Sequence, residues 1–243
     1  PDVIETHDWE GASLFLDELK TPYVVRAHGC YRILKKYFGY KASLGVEVIE
    51  TEALKKASHL ICVSKNSQRM YEETFGNKGT IITNGVTTTA QNLSETLPFS
   101  LFFFGSVTTK KGFDIALNVF KRILQKFPTA TLHIVGKNYE NYLKENNLGE
   151  QKNVINHGYL QGEELKIILQ EADTFIFPSQ GETFGLALCE AMELGKAVVA
   201  ADIPSFRDII THTKDGFIAK KEDEYYEYIV KLFQDDVLNK TIA

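Results

Sequence analysis

Gly181-Glu-Thr-Phe-Gly-Leu-Ala-Leu-Cys-Glu-Ala-Met-Glu-Leu-Gly195 is the stretch on which the chain converges. The residues before it, Asp173-Thr-Phe-Ile-Phe-Pro-Ser179, read as a short buried strand stopped at a proline. Strand, glycine-bearing turn and helix therefore follow one another within about twenty residues, the succession that builds a ligand crevice. The helix expected from Gly185 to Leu194 is apolar almost all round, as a buried helix is, yet it carries Glu190 and Glu193. Glu182 sits just before the helix, near its free amide groups, and Glu190 lies in its second turn on the side of Leu186. Acids beside a helix N-terminus are favoured by the dipole for stability alone, so these glutamates do not by themselves define a function.

Outward from this segment, short apolar strands alternate with helical stretches, the pattern of repeated βα units and a parallel sheet. Toward the N-terminus the strands are expected at Val3 to Glu5, Tyr23 to Ala27, Leu60 to Val63 and Ile81 to Thr83. Helices are expected at Glu10 to Leu19, Glu47 to Ala57 and Asn66 to Phe75. Asn84-Gly85 makes a turn, and Thr87 to Pro98 is polar, threonine-rich and without apolar period, which marks a linker. The alternation restarts at Leu101-Phe-Phe-Phe104. A helix from Phe113 to Phe127 follows, with Phe113, Ala116, Leu117, Phe120, Leu124 and Phe127 on one stripe and Pro128 as its stop. Strands at Thr131 to Val135, Val154 to His157, Thr174 to Phe177, Ala197 to Ala201 and Gly216 to Ala219 alternate with helices at Tyr139 to Asn146, Glu163 to Ala172, Pro204 to Ile210 and Glu222 to Phe233. The fold class is α/β, with two doubly wound (Rossmann-like) parallel-sheet domains over residues 1–90 and 91–243, the first incomplete. Pro1 leads straight into the first strand, as in a fragment.

The 243 residues are 44% hydrophobic and 24% charged, ordinary for a soluble globular chain. A net charge of −5 and a pI near 5.7 argue against nucleic acid as a partner, because no basic face with interleaved aromatics exists. Cys30, Cys62 and Cys189 are far apart and have no zinc-type spacing, so they read as buried thiols of a reducing compartment. No apolar run is long enough to form a transmembrane segment and no signal peptide is expected, which makes the cytoplasm the expected location.

In an open parallel sheet, ligands collect beyond the carboxyl ends of the strands. The loop Gly105-Ser-Val-Thr-Thr-Lys-Lys-Gly112 lies there and leads into a helix N-terminus. Lysines at that end oppose the macrodipole, at a cost of roughly 0.3 to 1 kcal/mol, and a bound diphosphate removes the conflict. The loop is neither a Walker loop nor Gly-x-Gly-x-x-Gly. His28 ends the strand Tyr23 to Ala27, and His7 follows the earlier strand in the same manner. Lone loop histidines are often only solvent-exposed or hydrogen-bonded. Arg26, inside the strand, reads as one half of a structural ion pair. His157-Gly-Tyr-Leu160 ends a further strand at the same edge.

The run Glu182, seven residues, Glu190, with Phe184-Gly185-Leu186 inside it and Glu190-Ala-Met192 at its end, resembles the signature of retaining glycosyltransferases of family 4, which have the GT-B fold. The resemblance extends over essentially the whole chain. It implies a nucleoside-diphosphate sugar as donor substrate, no cofactor, no metal, and an acceptor that is a carbohydrate, a lipid or a protein. It places the donor in the second domain, the acceptor facing the first, and the reaction in the cleft between them. On that alignment Lys111 holds the diphosphate, Glu190 accepts from the ribose hydroxyls, and Glu182 lies near the transferred sugar. His28 approaches sugar and phosphates, Gly105 and the amides of Phe184, Gly185 and Leu186 meet the diphosphate, and the segment of Tyr159 clasps the base. The family's arginine is replaced by Ser106, an uncharged donor. Loss of one preorganised donor costs on the order of 2 to 4 kcal/mol in the transition state, and Lys110 is the nearby substitute. The resemblance also leaves peripheral attachment to a membrane open. A non-catalytic, degenerate binding or scaffold protein is the alternative from another class. A sugar-nucleotide epimerase is a third, and it would need further acids and histidines in the first domain.

Overall fold

In the computed structural model, which describes residues 2–18, 20–87 and 95–243, the chain divides into two compact units. The first is Pro1–Gly85 with Gly181–Phe184, and the second is Val86–Gln180 with Gly185–Ala243. Residues 88–94, which span the middle of the expected linker and the expected boundary between 90 and 91, lie outside the described residues.

In the first unit, strands β1 (Ile4–His7), β2 (Tyr23–Ala27), β3 (Leu60–Cys62) and β4 (Thr80–Ile81) form a parallel sheet in that order. Helices α1 (Tyr31–Phe38), α2 (Leu44–Lys56) and α3 (Lys65–Phe75) pack around Val25, Ala27, Ile33, Leu54, Cys62, Met70 and Tyr71. Ser43 and Ser64 cap α2 and α3 by accepting from Val46 N and Ser67 N. Arg26 makes the expected ion pair, its Nε 2.7 Å from Glu5 Oε1, and also donates to Ile82 O.

The helix expected from Glu10 to Leu19 does not form. That segment is a run of turns ending in a 3-10 helix at Leu16–Glu18, and Leu19 lies outside the described residues. Glu10 takes a left-handed φ of 54°, and Gly11 packs so closely under Ile49 that a Cβ would stand 2.2 Å from its Cγ2. Tertiary packing thus overrides the local apolar pattern. Helix α1, for which the sequence shows no start signal, follows β2 instead.

The second unit is a six-stranded, all-parallel sheet of β5 (Ser100–Phe104), β6 (Thr131–Val135), β7 (Val154–Gly158), β8 (Thr174–Phe177), β9 (Ala197–Ala201) and β10 (Phe217–Ala219). Their spatial order is β10-β9-β8-β5-β6-β7. Helices α4 (Phe113–Lys126), α5 (Tyr139–Glu145), α6 (Gly162–Gln170), α7 (Leu186–Glu193), α8 (Pro204–Arg207), α9 (Glu222–Gln234) and α10 (Asp236–Ile242) connect and close it. The α4 stripe is buried at Phe113, Ala116, Leu117 and Phe120, whereas Leu124 and Phe127 are half-buried against the core and Ile123, outside the expected stripe, is buried. Each buried phenylalanine contributes roughly 2 to 3 kcal/mol of burial. Helix α10 was not expected; Asp235 caps it, accepting from Leu238 N at 2.9 Å.

This strand order contains a reversal. From β5 the chain steps outward through β6 and β7, then crosses back to β8 on the other side of β5. The loops after β5 and β8 therefore diverge from neighbouring strands, which is where an open parallel sheet leaves a crevice at its carboxyl edge. Among the described residues, no helix is long and apolar enough to cross a membrane.

Candidate active site

Within the second unit, the loop from Gly105 to Gly112 and the segment Pro178–Gln180 flank the strand reversal and are bound together. Gln180 N donates to Lys110 O at 2.9 Å, and Gly112 lies so close to Pro178 that a Cβ would stand 2.0 Å from its carbonyl oxygen. Gly112 has φ 73°, so any other residue here would be strained as well as obstructed. Lys111 closes the 3-10 turn Thr109–Lys111, whose start is capped by Thr108 Oγ1 accepting from Lys111 N. The acid in the first turn of α4 is Asp114, one of whose buried oxygens has no hydrogen-bond partner among the described residues. Its negative charge offsets part of the dipole conflict that the two lysines create.

Helix α7 begins at Gly185 with φ 116° and no side-chain cap. Leu188 and Ala191 are buried, whereas Leu186 is 45% exposed, so the helix is not enclosed on all sides. Glu190 follows one turn after Leu186 and is half-buried. Burial pushes its carboxyl above the usual carboxylate range, and among the described residues no protein group bonds to it. A half-buried carboxylate without protein partners offers two acceptor oxygens to a ligand.

A pocket of about 230 Å³ opens at the tips of β5, β6 and β7, lined by Gly105, Ser106, Gly136, Lys137, Tyr159 and Leu160 among others. Ser106 is exposed, and Tyr159 is 56% exposed. Sequence reading missed Lys137, whose Nζ lies over the Tyr159 ring at 4.1 Å from its centroid. Only its position just after a strand, at the edge where ligands collect, could have signalled it. His157 is turned inward, with Nε2 2.9 Å from His133 Nδ1. The backbone and Tyr159 are therefore what this turn presents to the pocket.

The first unit carries the other three candidates, His28, Glu182 and Phe184. His28 follows β2, and its backbone amide donates to the buried Asp8 Oδ1 at 3.1 Å. Glu182 belongs to the segment Gly181–Phe184, which that unit includes. Asn66 Nδ2 donates to Glu182 O at 3.3 Å, and Ser64 Oγ to Thr183 O at 2.7 Å. A Cβ on Gly29 would stand 3.0 Å from Thr183 Cγ2, so the turn after His28 lies against the residue after Glu182. Phe184 is buried. Among the described residues, no group of three or more His, Cys, Asp or Glu side chains is arranged to hold a metal ion.

Residues 87–243 match the family described as glycosyl transferases group 1. The chain belongs to that family. Residues 1–90 match a second family, described as Glycosyltransferase Family 4. This group 1 chain is 25% identical over 233 residues to an uncharacterised glycosyltransferase of Methanocaldococcus jannaschii, covering 95% of itself and 64% of that relative. It is 26% identical over 190 residues to the phosphatidyl-myo-inositol mannosyltransferase of Mycobacterium leprae, covering 74% of itself and 51% of that protein. Its fold matches HepE of Anabaena, solved in complex with UDP-glucose, at a TM-score of 0.79 and 22% identity, over 99% of this chain and 71% of HepE. The two parallel sheets are those of a GT-B glycosyltransferase.

Proposed function

We propose that this glycosyltransferase takes a hexose from a nucleoside-diphosphate sugar and transfers it with retention of anomeric configuration. The observation that carries this reading is the Glu190 carboxylate, half-buried and bonded to no protein group among the described residues, one turn into a helix whose start has no side-chain cap. In the same unit the lysine-bearing loop closes the other side of the strand reversal. In this assignment the Glu190 carboxylate accepts from the ribose hydroxyls, the amides at Gly185 and Leu186 meet the diphosphate, and Lys111 neutralises it. Tyr159 and the glycine turn at Gly136 receive the base, and Gly105 and the Phe184 amide meet the diphosphate. His28 and Glu182 act at the transferred sugar. Charge on the departing diphosphate is met by the lysine and the helix dipole, so the reading needs no metal ion and no cofactor. HepE, a relative in fold, is bound to UDP-glucose, which makes a uridine nucleotide the first donor to try. Residues 91–243 serve as the donor domain and residues 1–90 as part of the acceptor domain. The three free cysteines fit a reducing compartment.

The test is a calorimetric titration of the purified chain with UDP and with GDP, repeated on Lys111→Ala and Glu190→Gln. Each variant is expected to bind about tenfold or more weakly with no loss of melting temperature. Absence of binding to either nucleotide, or binding indifferent to both substitutions, overturns the assignment. The uncharged, exposed Ser106 supports a second reading, in which the chain binds donor without turnover. Slow hydrolysis of UDP-glucose separates the two.

A further inference from the structure

Asp8 is 3% exposed and Glu50 is fully buried, and among the described residues no lysine or arginine pairs with either. A carboxylate is tolerated in such a place only where hydrogen bonds replace the water it has lost. Most of those bonds lead to one turn. Asp8, directly after β1, accepts from His28 N at 3.1 Å through Oδ1, and from Gly29 N at 3.1 Å and Cys30 N at 2.8 Å through Oδ2. The Tyr71 hydroxyl also donates to Oδ2 and itself accepts from Cys30 N. Glu50, on α2, accepts from Tyr31 N at 3.1 Å and from Arg32 N at 3.2 Å, and it ties down Glu10 N as well.

Every backbone amide from His28 through Arg32 is therefore taken by a carboxylate remote in sequence. Helix α1 has no side-chain cap of its own at Cys30, and these two acids replace it. Two consequences follow from the chemistry. The start of α1 has spent its donors on the protein and has none to offer a substrate phosphate. The turn that carries His28 is also pinned by bonds to two different elements, so the imidazole departs from a fixed backbone.

We propose that Asp8 and Glu50 are positioning residues for His28: the two buried acids fix the turn from His28 to Arg32 so that the imidazole is held where the transferred sugar passes. The proposal rests on the role assigned to His28 above. Asp8 and Glu50 act through that backbone and touch no substrate.

The test uses the full chain, with UDP-glucose hydrolysis as the reaction, UDP as the binding probe and amide hydrogen exchange as a readout that needs no turnover. In Asp8→Asn, one acceptor oxygen becomes an NH2 facing backbone donors. Exchange at residues 28–30 is expected to quicken, turnover to fall about a hundredfold and the UDP dissociation constant to stay within about twofold. On a His28→Ala background the same substitution is expected to cost no further turnover, because the effect runs through the histidine. A merely structural role would instead lower the melting temperature and add its cost on both backgrounds. Glu50→Gln supplies the same test at residues 31 and 32 should Asp8→Asn not fold. Wild-type exchange at residues 28–32 in both folded variants, or an undiminished penalty on the His28→Ala background, overturns the proposal while the role of His28 stands. Wild-type turnover in His28→Ala overturns that role itself and the proposal with it.

Discussion

The backbone of Gly136 backs so closely onto Gly105 that a Cβ on Gly136 would stand 1.9 Å from the Gly105 carbonyl oxygen. Around this contact, Gly105 N donates to Val135 O at 2.9 Å, Val107 N to Lys137 O at 2.8 Å and Gly136 N to Gly158 O at 2.7 Å. The turns after β5, β6 and β7 are thus laced into one floor under the pocket that holds Ser106 and Tyr159. Gly136→Ala must push that floor apart, since the obstructing atom is backbone rather than a flexible side chain. The expected result is a loss of about 2 to 4 kcal/mol in urea unfolding, together with a fall of about tenfold or more in UDP affinity. Gly149→Ala, where nothing lies within 4 Å of the added carbon, serves as the control and should change neither. A wild-type midpoint for Gly136→Ala would show that the floor is not rigid.

Glu190 gives a pH dependence with two opposite signs. Burial raises its pKa above the usual carboxylate range, so in the ligand-free chain the native state holds this proton more tightly than the unfolded state does. Its contribution to stability therefore declines as pH rises through the raised value, and at pH 7 ligand-free Glu190→Gln should melt higher than wild type. Ribose hydroxyls donate to the ionised form, so binding requires the opposite state. The ratio of wild-type to Glu190→Gln affinity for UDP should be constant near neutrality and fall as acid is added, starting above the ordinary carboxylate range. Taking the ratio cancels the nucleotide's own phosphate titration. A ratio flat from pH 7 down to pH 4 would remove Glu190 from the pentose.

The sequence made legible those parts of the fold whose local pattern and tertiary role coincide. Strands Tyr23–Ala27, Thr131–Val135, Thr174–Phe177 and Ala197–Ala201 lie where their apolar runs place them, because most of their residues are buried. Helix α4 follows its stripe for the same reason. The segment after His7 fails because Glu10 takes a left-handed φ and Gly11 is pressed against Ile49 of α2, which a continuous helix could not do. Helix α1 was invisible because its cap comes from Asp8 and Glu50, and nothing near Cys30 announces it. At the candidate site, residues standing at strand ends could be named from the chain alone. What they touch could not: neither the His133–His157 contact nor Lys137 over Tyr159 follows from spacing, since each joins residues of different β-segments that are far apart in sequence.

The histidine pair gives the last test. His133 is 4% exposed, its ring stacks on Phe102 at 4.4 Å, and its Nε2 lies 3.0 Å from Thr131 Oγ1. Burial, with a smaller push from His157, brings its pKa down to about 4, and burial also lowers that of His157. An unfolded histidine titrates near 6.5, so between about pH 6.5 and pH 4 the unfolded chain takes up a proton that the native sheet refuses. This contribution to stability is therefore whole above pH 6.5, drains away as the pH falls toward 4, and changes no further below that. It amounts to on the order of 3 kcal/mol across the window. His133→Gln keeps a side chain able to bond Thr131 and His157 but removes the titration, and it should be the less stable protein at pH 7.5. The difference between the two should narrow through pH 6 and 5 in urea unfolding. Parallel curves for the two proteins over that range would mean that His133 carries its proton inside the fold, and the neutral stack on Phe102 would have to be abandoned.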